Sequence, residues 1–287
     1  MKRYIDLIEK NLDEYIPIRY PEEIYESMRY SVLAGGKRLR PTICLETCKI
    51  FGGKIEDALP IACAIEMLHV QSLIHDDLPC MDNDDYRRGK LSNHKAFSES
   101  TAVLAGDALI SYAIQMILEK SKNLSADKIL KLIELYTKAA GVEGIIAGQI
   151  VDIQSEGKKI DGETLEYIHT HKTADMFRFA FKAGGVVAGV SDDVLNILDE
   201  LGLKLGFAFQ ICDDILDETS TFEEMGKTLG KDEAEEKSTY TRLYGLKTAE
   251  CKVNCLLDEC YDILNKHNIK SEIIEDIIAS IKRKAKV

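Results

Sequence analysis

The densest chemistry in the chain lies between Ser72 and Lys90. Asp76, Asp77, Asp82, Asp84 and Asp85 stand within thirteen residues of Arg87 and Arg88. So many carboxylates either face water or gather cations. No Cys/His ligand pair stands among them, and an all-oxygen set suits a hard ion such as Mg²⁺. Mg²⁺ favours sites where phosphate oxygens complete its shell, and adjacent arginines can hold the same phosphates in bidentate fashion. Alone, the stretch could be a solvated acidic loop. A second cluster, Asp213-Asp214-Ile215-Leu216-Asp217, argues otherwise. Asp213 and Asp217 share a helix face at i,i+4. Both clusters follow long apolar helical patterns, so the spacing predicts two buried helices that end in carboxylates. Such an end opposes the helix dipole, which points to function rather than capping.

Basic residues fall in the same segments. Lys37 and Arg40 precede the first acidic helix, and Arg87 and Arg88 follow the first cluster. Lys172-Thr173 lies in a helical pattern, and Lys227, Lys231 and Lys237 follow the second cluster. In an acidic chain these make a local positive rim around metal-bound anions. His69 stands seven residues before Asp76, hence on its face and about 10 Å away along the axis. It is either a satisfied core histidine or a ligand contact.

The elements that must position these residues read as helices. Periodicity predicts an amphipathic helix over 3–16, then helices 21–34, 41–51 and 56–76, the last delivering Asp76 and Asp77. Gly35-Gly36 and Gly52-Gly53 act as stops, and Pro41 suits the first position of its helix. Further helices are expected over 97–120, 126–155, 163–188, 192–217, 239–265 and 270–284, with 218–237 a long polar loop. Gly144 and Gly148 share a face of helix 126–155, which predicts close approach by a neighbouring helix or a ligand. No period-two alternation is sustained; Val186-Val187 sits inside a helical period. The expected fold is all-α: one domain, 1–287, a single large bundle of about ten helices around a central cavity.

Composition narrows the function. The chain has 287 residues, 45% of them hydrophobic, and a net charge of −12, which argues against nucleic acid as a partner. No uninterrupted apolar run reaches the length of a membrane span. The eight cysteines show no paired Cys-x-x-Cys spacing, and the N-terminus lacks a secretory pattern. Reduced thiols in a cytoplasmic protein are the expectation.

The ordered motifs carry a resemblance. Asp-Asp-x-x-x-x-Asp at 76–82 with Arg87-Arg88 resembles the first aspartate-rich motif of the trans-isoprenyl diphosphate synthases, and Asp-Asp-x-x-Asp at 213–217 resembles their second. Gly35-Gly36-Lys37-Arg38-Leu39-Arg40-Pro41 is similar to their isopentenyl diphosphate site. Gly106-Asp107, Gly148-Gln149, Lys172-Thr173, Phe209-Gln210, Gly226-Lys227 and Lys237-Ser238-Thr239-Tyr240 match further blocks in order. Pro79 and Cys80 within the first motif resemble the bacterial farnesyl and plant-type geranylgeranyl enzymes.

The resemblance implies an isoprenoid-synthase bundle, expected as a homodimer. It would carry out Mg²⁺-dependent head-to-tail condensation of isopentenyl diphosphate with dimethylallyl and geranyl diphosphates, giving farnesyl diphosphate. Geranylgeranyl diphosphate is the alternative product. Asp76 and Asp82 would bind two Mg²⁺ ions and Asp213 a third, with Mn²⁺ as the alternative ion. Asp77, Asp214 and Asp217 would support them. Arg87, Lys172, Lys227 and Lys237 would bind the allylic diphosphate. Gly36, Lys37, Arg40, His69 and Arg88 would form the isopentenyl diphosphate site, and Thr173 and Gln210 would face the developing cation. Two positions depart from the pattern: Thr241 stands where proline is common, and Gln71 where bacterial farnesyl enzymes carry an aromatic. A class I terpene cyclase or a non-catalytic helical partner subunit would use the same bundle. The Lys37/Arg40/His69 set argues against the first, and two intact acidic motifs argue against the second.

Overall fold

Apolar residues at helical spacing give α1 (Lys2–Tyr15), which buries Tyr4, Ile8 and Leu12 on one face. The computed structural model describes residues 1–219 and 238–286. After α1 come α2 (Glu22–Val32), α3 (Leu39–Ile50) and α4 (Ile55–Asp76). A short hairpin, β1 (Tyr86–Arg87) with β2 (Lys90–Leu91), and one turn of helix, α5 (Asn93–Ala96), lead into α6 (Glu99–Lys120). Then follow α7 (Ala126–Ala140), α8 (Ile145–Ser155), α9 (Gly162–Ile168), a π-helical segment His169–Ala174, α10 (Asp175–Ala188) and α11 (Asp192–Thr219). Beyond residue 237 lie α12 (Tyr240–Tyr244), α13 (Leu246–Lys266) and α14 (Glu272–Lys284). Side-chain oxygens of Ser98, Ser125, Asp161, Thr239 and Ser271 accept from backbone N–H groups in the first turns of α6, α7, α9, α12 and α14. Each such cap is worth about 1 kcal/mol.

The all-α expectation holds. Helix α4 is apolar on nearly every side because it is the hub of the bundle, packed against α6, α3 and α10. Helix α10 packs against α11 and α3, and α11 against α13. By length and hydropathy alone α4 and α6 could cross a bilayer. Yet 78% of the α4 window is buried inside the protein, against 39% for α6, which leaves Val103, Leu104 and Leu118 exposed. At the opposite end of the core, buried Glu46 on α3 joins both chain ends: Tyr4 Oη and Ser271 Oγ each donate to it at 2.8 Å.

Several elements differ from the sequence expectation. Helix 126–155 is interrupted at 141–144, where two glycines weaken it; Gly144 lies outside α8 at its N-cap and is approached by the Ala139 carbonyl of α7, so the two glycines do not share one helix face, and Gly148 alone meets the π segment. A Cβ there would come within 2.2 Å of the Lys172 backbone nitrogen. Helix 163–188 is continuous but carries the π segment at 169–174, and 239–265 breaks at Gly245. The hairpin was too short to show alternation. Its turn at Arg88 and Gly89 has φ of 54° and 75°, the left-handed pair that suits a two-residue hairpin. Helix α3 begins at Leu39, so Arg40 stands in its first turn rather than in the link, and Pro41 occupies the third position, where its missing N–H still costs nothing. Helix α11 stays helical through Thr219, so Asp213 stands more than a turn before that point and the dipole argument does not apply to it. Lys227, Lys231, Lys237 and nearly all of the predicted loop lie outside the described residues.

Candidate active site

One cavity of about 1050 Å³ opens between α4, α8, the π segment and α11. Both acidic clusters reach it, from opposite walls: Asp76, Asp82 and Asp84 on one side, Asp213, Asp214 and Asp217 on the other. The first wall is built by backbone geometry. Past the end of α4 the chain folds back, and Asp82 N donates to Asp76 O at 2.8 Å while Asp84 N donates to Asp77 O at 3.2 Å. Carbonyls that the helix end leaves unpaired are thereby satisfied, and Asp76 and Asp82 become neighbours despite five intervening residues. Asp77 is buried instead. Arg87 Nε donates to its Oδ1 at 2.9 Å, and the Arg87 Nη2 reaches Asp84 at 3.1 Å. Burial pushes the Asp77 carboxyl up to about 6, against the opposite pull of Arg87.

The donor set is all carboxylate oxygen, with no thiolate or imidazole among it. An all-oxygen set fits Mg²⁺, which keeps several waters and completes its shell with substrate phosphate.

A basic end closes the cavity. Lys37, Arg40 and His69 line it, as does Lys284 from the last turn of α14. Burial, reinforced by the neighbouring Lys284 ammonium, holds Lys37 below the usual lysine range, while Asp213 pulls it back up. The Arg40 guanidinium lies over the rings of Phe177 and Phe209, 4.8 and 5.8 Å from their centroids. Its Nε is buried without a hydrogen bond, and burial pulls its pKa down to about 10, so it stays charged at neutral pH. Burial, then the charges of Arg40 and Arg88, drive the His69 imidazolium pKa well down, so that ring is neutral. Packed cations around an orphan N–H make a seat for an anion. Helix α3 points its N-terminus to the same place.

Arg88 and Gly36 lie differently. The Arg88 guanidinium is turned onto the Gly35 carbonyl and Glu66, and a Cβ on Gly36 would lie 2.8 Å from its Cζ. Neither residue lines the cavity. Arg38 donates to Glu66, to Glu9 and to the Val32 carbonyl, so this buried network fixes the loop that carries Lys37.

The π segment supplies Lys172 and Thr173. Lys172 Nζ donates to Asp152 at 2.6 Å, and Thr173 Oγ1 donates to Gln210 Oε1 at 2.6 Å. Gln71 is 8% exposed and lines the cavity with Ser72 and His75. Its Nε2 lies 3.0 Å from His75 Nδ1, so the amide, which burial without a partner would penalise, has one. The sequence reading passed over Lys284 although the basic tail was visible in it. Nothing in the tail's spacing tells that α14 aims that residue back across the bundle.

Fold and site together define a class: a helical-bundle enzyme with one large cavity between two carboxylate walls and a basic end. The chain belongs to the polyprenyl synthetase family, which it matches over residues 21–281, and it is a prenyltransferase. It is 45% identical to a farnesyl diphosphate synthase of Micrococcus luteus over 262 residues, 91% of this chain and 89% of that protein. It is also 45% identical to a geranylgeranyl diphosphate synthase of Cyanophora paradoxa over 255 residues, 88% of this chain and 85% of that one. Among solved structures, a geranyltransferase from Helicobacter pylori complexed with magnesium and isoprenyl diphosphate superposes with a TM-score of 0.86. It is 31% identical and covers 98% of this chain and 95% of its own.

Proposed function

We propose that the protein joins isopentenyl diphosphate head to tail to allylic diphosphates, dimethylallyl then geranyl, and releases farnesyl diphosphate, with overrun to geranylgeranyl diphosphate. One observation carries this reading: the two acidic walls share a cavity with a separate basic end at Lys37, Arg40 and Lys284. A cyclase has one diphosphate to hold and no use for the second seat. Asp76 and Asp82 from one wall and Asp213 from the other would hold Mg²⁺, three ions per site, with Mn²⁺ as a substitute. When bound, the ions neutralise charge on the departing diphosphate.

The chain's own residues do the rest. Lys172 and Arg87, with Lys227 and Lys237, bind the allylic diphosphate. Lys37, Arg40 and Lys284 hold isopentenyl diphosphate beside neutral His69, with Arg88 and Gly36 shaping the loop behind them. Thr173 and Gln210 turn oxygens toward the allylic carbon as positive charge grows there. Asp77, Asp214 and Asp217 fix the walls. Met176, Ile168 and Phe209 line the cavity and keep water from the cation. The double bond of isopentenyl diphosphate attacks, and the departing diphosphate takes the proton lost from the adduct.

The exposed apolar side chains of α6 (Leu104 58%, Leu118 55%) support assembly with a second copy as a homodimer. Eight free thiols support a reducing, cytoplasmic setting. The test of the reaction is diphosphate release in Mg²⁺ with dimethylallyl and isopentenyl diphosphates. Release that needs both substrates is expected. Release from the allylic substrate alone would favour a cyclase.

A further inference from the structure

Behind Thr173 runs a polar chain with one direction. Thr173 Oγ1 donates to Gln210 Oε1 at 2.6 Å, and Gln210 Nε2 donates to Asp214 Oδ1 at 3.0 Å. Asp214 Oδ2 accepts from the Tyr240 backbone N–H at 2.8 Å and lies 3.3 Å from His169 Nε2. His169 and Asp214 are 4% and 5% exposed. The imidazole packs edge-on against Phe207 and stacks on Tyr240, and its Nδ1 is buried without a hydrogen-bond partner. The ring's polar contact with Asp214 is therefore made through Nε2 alone.

An amide side chain has two nearly interchangeable ends, and its partners decide which faces where. A carboxylate only accepts. Asp214 therefore takes the –NH₂ end of Gln210 and leaves the carbonyl to Thr173. The single hydroxyl proton of Thr173 is then committed to Gln210. At their Oγ1 and Oε1 ends, what these two residues can still turn toward the cavity is oxygen lone pairs. Asp214 would be free to rotate were it held by Gln210 alone; Tyr240 N donates to its other oxygen, and the His169 Nε2 lies against that same oxygen. These three neighbours come from three elements, α11, the π segment and the start of α12.

We propose that His169 and Asp214 are positioning residues that hold the Gln210 amide in one orientation, so that the Thr173 Oγ1 and Gln210 Oε1 oxygens, rather than the amide –NH₂, face the cationic allylic carbon. The proposal rests on the prenyl-transfer reading. Two variants test it. His169→Phe keeps the aromatic packing and removes the Nε2 contact; His169→Gln keeps a donor and removes the ring. His169→Phe is expected to lower kcat about tenfold or more while both KM values stay within about threefold, the scale for groups that orient a working residue. His169→Gln should recover most of kcat. In a crystal structure of His169→Phe, the Gln210–Asp214 bond should be broken or the amide turned over. Should His169→Phe fail to fold, Asp214→Asn serves in its place, because its –NH₂ competes for the Gln210 carbonyl; it should show the same drop in kcat at little-changed KM. Unchanged kcat, equal loss in both His169 variants, or KM rising as kcat falls would overturn the proposal. Wild-type enzyme that releases no diphosphate from the two substrates would overturn the prenyl-transfer reading instead. The positioning itself is then judged from the crystal structure, where an unmoved Gln210 amide refutes it.

Discussion

Lys37 and Lys284 stand close enough for each ammonium to feel the other, with Asp213 the opposing charge. Two like charges are kept together where a third party neutralises them, and on the proposed reading that party is the second diphosphate. Lys37→Ala, Arg40→Ala and Lys284→Ala should each raise the KM for isopentenyl diphosphate about tenfold, the scale of one charge-assisted hydrogen bond. The KM for the allylic substrate should move far less. Lys172→Ala should do the reverse, and steady-state kinetics with each substrate varied in turn decides. His69 makes a pH prediction. Its folded pKa lies well below the ordinary 6.5, so the unfolded chain binds the extra proton first as pH falls. Its contribution to stability is whole above about 6.5 and is lost progressively below that value. Urea unfolding of the ligand-free enzyme at pH 7.5 and 5.5 should show a drop that His69→Gln reduces; an equal drop in the variant would contradict the assignment. At this scale the sequence was most legible. Carboxylates and lysines declared themselves by type and spacing, and Asp76, Asp82, Asp213, Lys37, Arg40, His69, Lys172, Thr173 and Gln210 all line one cavity. Arg88 did not, because a hairpin turn decides where its guanidinium points.

Helix α4 carries the acidic wall at one end and the side of the cavity along its length. An isoprene unit is about one helix turn long, roughly 5 Å, so the depth of the cavity in turns sets how many units fit. Ser72 lies one turn below Asp76 and is small enough to pass; Gln71 flanks that path and is pinned by His75. A ring at 71 would act by volume, since packed interiors yield little. Gln71→Tyr should shift products toward shorter chains and Gln71→Ala toward longer ones, read by chromatography of dephosphorylated products. Identical distributions would place the floor elsewhere. Long helices were visible from their period, while their interruptions were not. The breaks at 141–144 and Gly245 need glycine in a particular setting, and the π segment depends on the fit of Gly148 against the Lys172 backbone. That fit is tertiary, so no local pattern announces it.

The whole bundle brings residue 37 and residue 284 to one end of one cavity, and Glu46 helps explain how. It accepts from Tyr4 on α1 and from Ser271 at the start of α14, so the first and last helices are both fastened to α3. Glu46→Ala leaves two buried hydroxyls unpaired and should cost about 2 kcal/mol. In a chain of this size that is a fall in Tm of about 4–8 °C, measurable by calorimetry. Isopentenyl diphosphate should also bind less well, since α14 carries Lys284; an unchanged Tm would mean that the clasp contributes nothing.

On the proposed reading, the two carboxylate walls act only through metal-bound diphosphate. Asp76→Ala and Asp213→Ala, assayed for condensation across a range of Mg²⁺ concentrations, test that most directly. Each should cut turnover by about 10²-fold or more, the scale for a lost charge-stabilising group, and each should remain folded, with Asp76→Ala relieving repulsion at the end of α4. A folded variant that turns over at a near-normal rate at any Mg²⁺ level would contradict the account.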